Sequence, residues 1–488
     1  MHFSGAVMAT VFCVTTLSSE WMTAKLELFF DIVCPYAYLA SQRLGTLPIG
    51  SDQIEFTPVL LGGIYALTAA PQGKAGSATD AMNVSKAKVM RRDFQRTVQR
   101  ANINLNWHPL HPVKSLNAMR LLAAVTDRQV RSRLAMALFR AYWVDNLDIS
   151  DTKVLLTIVK SKLDGAASIL NETTFTSQAH TDTLRANTAR VVSLGAPGVP
   201  FFHLPTTVHG DPASYWGGDR IHFVHSHLNW LHARERGENP LPPPVPQWRR
   251  VSPSALPLRR ERTLVFFWDF SSPWSYMAWR VVRERLQPLC GPLLNVMHVP
   301  FLVGGLFKEL GSTNILGLPP VKAAHMRKDM ADWCTYWDTL PYPGTTDAMI
   351  PREPMRVVWP EVFPIRSILA SRVAILCPKT MGPLFDACWR DNRDVSQADV
   401  IMEVLREAKL DGADEVVARA RGDEGVKKVL WENGERASRL GLFGVPSFVV
   451  CDDVVWGQDR IMDVIVELRC GVDPLANTPV ERKVRFRL

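Results

Sequence analysis

Two residues that could do thiol chemistry stand at equivalent points of a repeated segment. Cys34 lies in residues 29–38 and Ser272 in residues 267–276, and in both copies an apolar run leads into the nucleophile, a proline and a helical pattern. Proline at the first helical position loses no hydrogen bond, so both copies predict a helix that begins directly after the nucleophile. Because a helix N-terminus presents unpaired N–H groups and a positive dipole end, either position could stabilise a thiolate, the nucleophilic form of a thiol.

The repeat extends well beyond these two segments. Five further landmarks recur in the same order in both parts of the chain. The paired segments are residues 58–65 and 300–307, 86–93 and 322–329, 142–150 and 388–396, 198–202 and 444–448, and 216–220 and 456–460. Such ordered recurrence over long units predicts tandem domains, each with a core of its own.

The chain of 488 residues, nearly half of them hydrophobic, is long enough for such a division. We expect an N-terminal extension without an assigned role at residues 1–24, a first domain at 25–232, a linker at 233–262 and a second domain at 263–488. The linker is rich in Pro and Arg, and this composition predicts an extended, semi-rigid spacer.

Composition narrows the function classes. The net charge of +8 is modest for this length, and no basic face interleaved with aromatic residues marks a nucleic-acid groove. No apolar run is long enough to span a bilayer, so we expect no membrane partner. The eight cysteines show neither CxxC spacing nor a metal-ligand pattern, and His108 and His111 are interpreted as loop residues. We therefore expect no metal and no disulfide framework, which favours a reducing compartment.

Hydrophobic runs and breakers predict the same element order in both domains. The predicted strands are residues 26–30, 54–60 and 201–203 in the first domain and 264–267, 293–301 and 448–450 in the second. Amphipathic patterns over about residues 86–186 and 322–437 predict a helical block between the second and third strands. A final helix is expected to open at Asp219 and at Asp459. The fold class is therefore α/β, with an all-helical insertion in each domain.

This order resembles a thioredoxin fold with a helical insertion. The motifs resemble those of the kappa-class glutathione transferases and the bacterial 2-hydroxychromene-2-carboxylate isomerases, relatives of the disulfide-bond oxidoreductases. The family segment Asp-x-x-Ser-Pro-aromatic-Ser-aromatic is matched by residues 269–276. The second signature, Gly-Val-Pro-x-Phe followed by Trp-Gly-x-Asp-Arg, is matched by residues 444–448 and 456–460. The resemblance covers nearly all of both domains and implies two tandem thioredoxin-like domains.

The resemblance implies a catalytic site in the second domain. Ser272 stands where the family serine contacts the glutathione sulfur, and there its hydroxyl would orient the thiol and favour the thiolate. Pro446 is expected to follow a cis peptide bond. The backbone of Val445 would then pair with the peptide-like thiol in strand fashion.

Four further second-domain residues are assigned by the same resemblance. Gln458 and Asp459 match the positions that hold the γ-glutamyl end, and Asn314 matches a further polar contact. Trp274, next to the serine, is a candidate for contact with an aromatic substrate. The implied cofactor is glutathione or another low-mass thiol, with no metal.

The first domain departs from the family pattern. Cys34 replaces the serine, and Ala37 stands where a disulfide oxidoreductase carries its resolving cysteine, which excludes intramolecular dithiol exchange at this site. A lone cysteine at a helix N-terminus could have a lowered pKa and form mixed disulfides with glutathione. The alternative is a vestigial domain in which Cys34 is a small buried residue. Both interpretations stay open from the sequence.

The remaining first-domain candidates are the counterparts of the glutathione-binding positions of the second domain. They are Val199, Pro200, Gly218 and Asp219. An insertion near residues 205–212 lengthens the hairpin between these positions and alters the expected pocket.

Three functions follow. The first is a glutathione-dependent isomerase or transferase, in which Ser272 activates the thiol for addition to an unsaturated or electrophilic, aromatic substrate. The second is a monothiol–disulfide oxidoreductase that acts through Cys34. The third is a non-catalytic thiol-binding or scaffold protein. The expected partners are the small substrate and either the other half of the same chain, as an internal pseudo-dimer, or a second copy. The expected location is cytoplasmic or mitochondrial, with the peroxisome left open.

Overall fold

The computed structural model describes residues 26–70, 82–163, 170–205, 212–238, 258, 260–312, 315–339, 353–451 and 453–470. These residues form two α/β halves with the same succession of elements. We call the described residues up to 238 the first half and those from 258 onward the second half. The expected N-terminal extension lies outside the described residues.

The first half is built on a four-stranded sheet with the strand order β2-β1-β3-β4. β1 (Leu26–Phe30) runs parallel to β2 (Ile54–Pro58) and antiparallel to β3 (Phe201–Leu204), which pairs antiparallel with β4 (Ala213–Trp216). Most side chains of the central β1 are buried, as expected for a strand covered by helices on both faces.

The second half repeats this sheet in the order β6-β5-β7-β8. β5 (Arg262–Trp268) runs parallel to β6 (Leu294–Pro300) and antiparallel to β7 (Ser447–Val450), and β7 pairs antiparallel with β8 (Asp453–Trp456). The two central strands therefore deliver Cys34 and Ser272 to the same edge of their respective sheets.

The helices of the first half lie between and around these strands. α1 (Pro35–Ser41) follows β1, α2 (Leu61–Leu67) follows β2, and α8 (Ile221–Glu235) closes the half. The inserted helices are α3 (Val84–Arg100), α4 (Leu116–Ala124), α5 (Arg128–Trp143), α6 (Thr152–Lys162) and α7 (Gln178–Ser193). Side-chain caps set several of their starts: Asn83 accepts from the first turn of α3 and Asp127 from that of α5.

The second half carries the corresponding helices. α9 (Pro273–Val281) continues through a π-helical turn into α10 (Gln287–Cys290), α11 (Val303–Glu309) follows β6, and α18 (Ile461–Cys470) is the last described element. The inserted helices are α12 (Pro320–Thr339), α13 (Ile368–Leu376), α14 (Met381–Trp389), α15 (Ala398–Glu407), α16 (Ala413–Gly422) and α17 (Glu424–Arg439).

The predicted fold class is confirmed, because both halves combine a mixed sheet with a helical insertion. Helices begin at Pro35 and Pro273, as predicted. The final helix of each half is preceded by a short 3₁₀ turn that contains Asp219 or Asp459. Regular structure also enters both ends of the expected linker, since α8 ends at Glu235 and β5 begins at Arg262.

Two of the surfaces through which the halves contact each other differ chemically. α3 lies against β8 and α18, where Arg92 Nε is 2.9 Å from Asp453 Oδ2 and Arg96 Nε is 3.2 Å from Glu467 Oε1. On the other side Phe223 of α8 packs edge-on against Trp333 of α12, with ring centres 5.2 Å apart. One surface is ionic and the other aromatic, although the halves share one fold.

Candidate active site

Ser272 caps the N-terminus of α9. Its Oγ accepts a hydrogen bond from the Ser275 backbone N–H at 3.2 Å, and its backbone is extended. In the described part of the chain the Ser272 hydroxyl hydrogen is not donated to any group, so it stays available for a bound anion. The positive end of the α9 dipole favours negative charge at the same point.

A buried carboxylate fixes the loop that leads into α9. Asp269 accepts hydrogen bonds from the backbone N–H groups of Ser271 at 2.9 Å and of Val303 at 2.8 Å. Burial raises the pKa of Asp269, against the opposing effect of these hydrogen bonds. Trp389 Nε1 donates to the Phe270 carbonyl at 2.8 Å. The loop is thus held from two sides before any ligand binds.

The first half holds its loop in the same way. Asp31 accepts from the backbone N–H of Leu61 at 3.0 Å, and Trp143 Nε1 donates to the Ile32 carbonyl at 2.7 Å. The scaffold behind the two nucleophile positions is therefore equivalent, and the halves differ at the nucleophile itself.

The Val445–Pro446 peptide bond is cis, as the resemblance implied, and so is Val199–Pro200. Among the described residues, no hydrogen bond uses the backbone N–H or carbonyl of Val445, which leaves an edge on which an extended ligand could pair. The first-half counterpart is different, because the Val199 carbonyl accepts a hydrogen bond from Cys34 Sγ at 3.3 Å.

Asp459 is held by an arginine from each half. Its Oδ2 accepts from Arg220 Nη1 at 3.0 Å and from Arg460 Nη1 at 3.0 Å. Arg220 also forms a two-point contact with Asp329, at 2.7 and 2.9 Å. The first half mirrors this arrangement, since Asp219 Oδ2 accepts from Arg460 Nη2 at 2.8 Å. Gln458, buried beside this group, does not take part in the ion pairs.

Both arginines act on the pKa of Asp219. Burial alone would raise the pKa of Asp219, but Arg220 and Arg460 outweigh it and hold the pKa well below its usual range. Gln458, the neighbour of Asp459, is oriented by a hydrogen bond of 2.5 Å from Trp337 Nε1. The side chains around Asp459 are therefore fixed in position.

A cavity of about 1700 Å³ joins the two sites, and its wall is mostly apolar. All the second-half candidates that the structure describes line it: Ser272, Trp274, Val445, Pro446, Gln458 and Asp459. Asn314 lies outside the described residues. In the first half Cys34, Val199 and Asp219 line the cavity, whereas Pro200 and Gly218 are not among its lining residues.

Pro200 and Gly218 lie in the turn and the helix packing next to the cavity. Gly218 is buried against α1: a Cβ built on it would lie 3.3 Å from the Tyr36 carbonyl oxygen and 3.4 Å from the Ala40 Cβ. The Pro200 carbonyl accepts a hydrogen bond from Gly217 N–H at 3.0 Å, as the Pro446 carbonyl does from Gly457 N–H in the second half. A binding role for Pro200 and Gly218 stays a prediction.

Cys34 does not have the lowered pKa that a cysteine at a helix start could have. Its side chain is buried, and burial, together with the charge of Asp31, raises its pKa to about 12. Hydrogen bonds from the α1 backbone offset only part of this rise. With its Sγ–H donated to Val199, the thiol is held in the protonated form. Of the two interpretations that the sequence leaves open, these observations favour the small buried residue, because desolvation outweighs the helix terminus.

The described ranges contain no group of three or more His, Cys, Asp or Glu residues arranged to hold a metal ion. Within the same ranges, no helix is both long enough and apolar enough to cross a membrane.

Sequence reasoning missed the residues through which each half reaches into the site of the other. Arg220 and Arg460 stand in the repeated Trp-Gly-x-Asp-Arg segment, and Asp93 and Asp329 end another repeated segment. Their recurrence was visible, but their pairing across the halves has no local signal. The repeated Asp-Arg pair was the only part of this arrangement that the sequence displayed.

The comparisons agree with this architecture. The model of the DSBA-like thioredoxin domain matches residues 25–229 and again residues 263–468. No curated protein matches the chain. The solved structures that match include a 2-hydroxychromene-2-carboxylate isomerase, 22% identical with a TM-score of 0.37, which covers 43% of this chain and 98% of its own.

A second similar structure is the cytosolic disulfide reductase DsbM from Pseudomonas aeruginosa with GSH, 14% identical with a TM-score of 0.30. It covers 44% of this chain and 98% of its own, so each of these proteins corresponds in length to one half of the chain. Because the family match spans most of the sequence and occurs twice, the chain belongs to the DSBA-like thioredoxin domain family and carries that domain in tandem.

Proposed function

We propose that the protein is a glutathione-dependent isomerase or transferase whose catalytic residue is Ser272. The observation that carries the proposal is the Ser272 hydroxyl: its oxygen accepts from Ser275 N–H, its hydrogen is available, and it lines the large cavity at the start of α9. A thiol sulfur placed there would receive a hydrogen bond from Ser272 and the favourable field of the helix terminus. Both effects lower the pKa of the thiol.

The residues around Ser272 support binding of a peptide-like thiol. The unused backbone groups of Val445 provide an edge for strand-like pairing, and the carboxylate of Asp459 provides a partner for the free amino group at the γ-glutamyl end. These are proposed roles, and they make glutathione the thiol that best matches the side chains present.

The chemistry follows from the thiolate. Its sulfur would form a bond to the β-carbon of an unsaturated carbonyl compound, while the π electrons move to the carbonyl oxygen. If the original double bond reforms after rotation and the same carbon–sulfur bond breaks, the net reaction is isomerisation and the thiolate is regenerated. If the adduct is instead protonated, or if a leaving group departs, the net reaction is transfer. Neither outcome needs an oxidant or a metal.

The structure gives no support to the alternative through Cys34, whose thiol is buried and protonated. We assign the first half a supporting role, in which the two halves form an internal pseudo-dimer. Arg220 in the first half contacts Asp459 in the second, and this contact supports the assignment. Sedimentation tests the pseudo-dimer: a monomer of 54.7 kDa is expected, and a stable dimer would contradict it.

The test of the proposed function is a matched pair of variants, Ser272→Ala and Cys34→Ser, assayed with glutathione and two acceptors. 1-Chloro-2,4-dinitrobenzene reports transfer, and a cis-configured unsaturated aromatic acid reports isomerisation. We expect Ser272→Ala to lower kcat/KM by about 100-fold or more, as loss of one oxyanion donor does in other enzymes. Cys34→Ser should leave it nearly unchanged. Full activity of Ser272→Ala would overturn the proposal.

A further inference from the structure

Equivalent positions around the two nucleophiles carry different chemistry. We call the part of the cavity at Cys34 its first-half end and the part at Ser272 its second-half end. Three aromatic side chains without a hydroxyl or an imidazole line the second-half end: Trp274, Phe307 and Phe363. The same positions of the first half also line the cavity, and they are Tyr36, Tyr65 and His111. The first two pairs stand in repeated segments, and the third precedes a cis proline in each half.

The aromatic wall of the first-half end is continuous. The Tyr36 ring meets the Phe94 ring edge-on, with centres 5.6 Å apart, and Phe94 meets Trp107 at 5.8 Å. Trp107 in turn meets His111 at 4.8 Å. All four side chains line the cavity, and the His111 ring is fixed because its Nδ1 lies 2.8 Å from the Tyr142 hydroxyl. A flat aromatic ligand therefore finds a preformed surface here.

The start of α2 brings Tyr65 to the same end. The backbone N–H of Leu61 donates at 3.0 Å to Asp31, which lies in the loop that leads to Cys34. Tyr65 follows Leu61 by four residues, so the two side chains share one face of α2, and both line the cavity. The loop before Cys34 and the first turn of α2 therefore place Tyr65 in the wall of the first-half end.

The fold does not use the hydroxyls of Tyr36 and Tyr65. Neither of them forms a hydrogen bond with any residue that the structure describes, whereas the nearby Tyr38 hydroxyl donates to the Asn104 carbonyl at 2.5 Å. Both side chains are only half-buried and line the cavity. Burial raises the pKa of both hydroxyls, so they stay protonated at neutral pH. Each is therefore a donor that an oxygen atom of a ligand could satisfy.

The second half adds a further polar group to the first-half end. His325 of α12 lines the cavity, with its ring edge-on to Trp216 at 5.7 Å. Trp216 Nε1 lies 3.2 Å from the place of a Cβ on Gly198, and the next residue along the chain accepts the hydrogen bond from Cys34. The first-half residue equivalent to His325 is Val89, which packs in the apolar cluster of the second half. The exchange between the halves thus also makes the first-half end the more polar one.

We propose that the first-half end is a second ligand site, which binds a small, neutral, oxygen-bearing aromatic compound with the hydroxyls of Tyr36 and Tyr65 as hydrogen-bond donors. The aromatic ring of the ligand would lie along the wall from Tyr36 to His111. The proposal gives the first half a binding function of its own, beyond support of the second. It does not depend on activation of a thiol by Ser272.

Two observations at Cys34 define the class of ligand. The Cys34 thiol donates to the Val199 carbonyl, and this bond competes with the strand-like pairing that we propose for glutathione at Val445. The charge of Asp31 adds to the rise in the pKa of Cys34, and the same charge disfavours an anionic ligand at this point. A neutral compound with a carbonyl oxygen, and not a peptide-like thiol, therefore fits this end best.

The test compares acetophenone with ethylbenzene, which has nearly the same shape but no oxygen. Ligand-observed NMR titration of the full chain gives both Kd values, and the measured quantity is the factor by which acetophenone is preferred. The double variant Tyr36→Phe/Tyr65→Phe removes both hydroxyls and keeps both rings. Tyr336→Phe is the control, because Tyr336 lies in the aromatic contact between the halves and is not among the residues that line the cavity.

We expect the native protein to prefer acetophenone and the double variant to lose about fivefold or more of this preference, as removal of a neutral hydrogen bond does. Ethylbenzene should bind both proteins alike, and Tyr336→Phe should keep the native preference. Ser272→Ala should also keep it, which separates this proposal from the proposed function. In crystals soaked with 4-bromoacetophenone, the anomalous signal of bromine should lie beside the wall from Tyr36 to His111.

Three results would overturn the proposal. The first is a native protein that binds acetophenone no better than ethylbenzene. The second is a preference that survives in the double variant or is lost equally in Tyr336→Phe. The third is a bromine signal found only beside Ser272 and Trp274. Because none of these measurements requires turnover, a failure of the proposed function leaves them unchanged.

Discussion

Arg220 in the first half donates a hydrogen bond to Asp459 in the second half at 3.0 Å, and Arg460 in the second half donates to Asp219 in the first at 2.8 Å. The two contacts are equivalent under the repeat, so each half fixes an acid at the cavity of the other. The guanidinium of Arg220 contacts two acids, since it also forms an ion pair with Asp329. These contacts therefore tie the two halves together at the wall of the cavity.

Arg220→Met should therefore affect both stability and thiol binding. Removing one partner of a buried ion pair costs about 3–5 kcal/mol of unfolding free energy, because the other charges stay buried. Asp459 would keep Arg460 but lose its second anchor, so the Kd for glutathione should rise more than kcat falls. Urea unfolding and calorimetric titration measure the two effects.

Arg406→Met is the matched control for this variant. Arg406 pairs with Asp414 at 2.6 Å, but both side chains are more than half exposed, at 60% and 69%. Loss of an exposed pair changes stability by about 1 kcal/mol or less. Equal destabilisation by the two variants would contradict the buried network as a source of stability.

Cys34 should resist alkylation in the native protein. Burial raises its pKa to about 12, so the thiolate is scarcely populated at neutral pH. Cys451 is exposed and should react readily with iodoacetamide under the same conditions. Peptide mass spectrometry after brief labelling measures both, and labelling in denaturant provides the control in which the two react alike. Rapid native labelling of Cys34 would show that its site is open.

Stability should fall as the pH falls below the ordinary pKa of histidine, in part through His227. Burial, together with the charge of Lys328, lowers the pKa of His227 to about 4, and its Nδ1 lies 3.1 Å from the Tyr215 hydroxyl. Between pH 6.5 and 4 the unfolded chain binds a proton at this residue that the folded chain does not, so the unfolding free energy rises with pH in that window. The contribution lost at pH 5 is about 2 kcal/mol relative to pH 7.

His227→Gln should flatten this part of the pH profile. The measurement is the difference in urea unfolding free energy between pH 7 and pH 5, compared for the two proteins. His180, at the start of α7, is half-buried, and its Nδ1 lies 3.1 Å from the Thr174 carbonyl, so His180→Gln serves as a comparison at a less enclosed site. An unchanged profile in His227→Gln would contradict the assignment.

The local parts of the fold could be predicted from the sequence. The runs that form β1 and β5 are continuous and apolar, and Pro35 and Pro273 mark helix starts by a local rule that does not depend on tertiary context. The position of Ser272 and Asp459 at one cavity could also be predicted, because the motifs occur in a fixed order and the sheet brings them together.

The parts that could not be predicted depend on distance and burial. Cys34 and Ser272 look alike as residues before a proline, yet desolvation decides the pKa of the thiol, and no local pattern reports how deep the side chain lies. The pairing of Arg220 with Asp459 joins residues 239 positions apart, so it could be found only once the two halves were placed together.

The central claim is that Ser272 lowers the pKa of a bound thiol, and the most direct test is the ultraviolet absorbance of the thiolate in glutathione complexes titrated with pH. In the native protein we expect the bound thiol to have a pKa about two units below the ordinary cysteine value of about 8.5. In Ser272→Ala it should return most of the way to that value, while Cys34→Ser should behave like the native protein. Identical titrations for the native protein and Ser272→Ala would contradict the account.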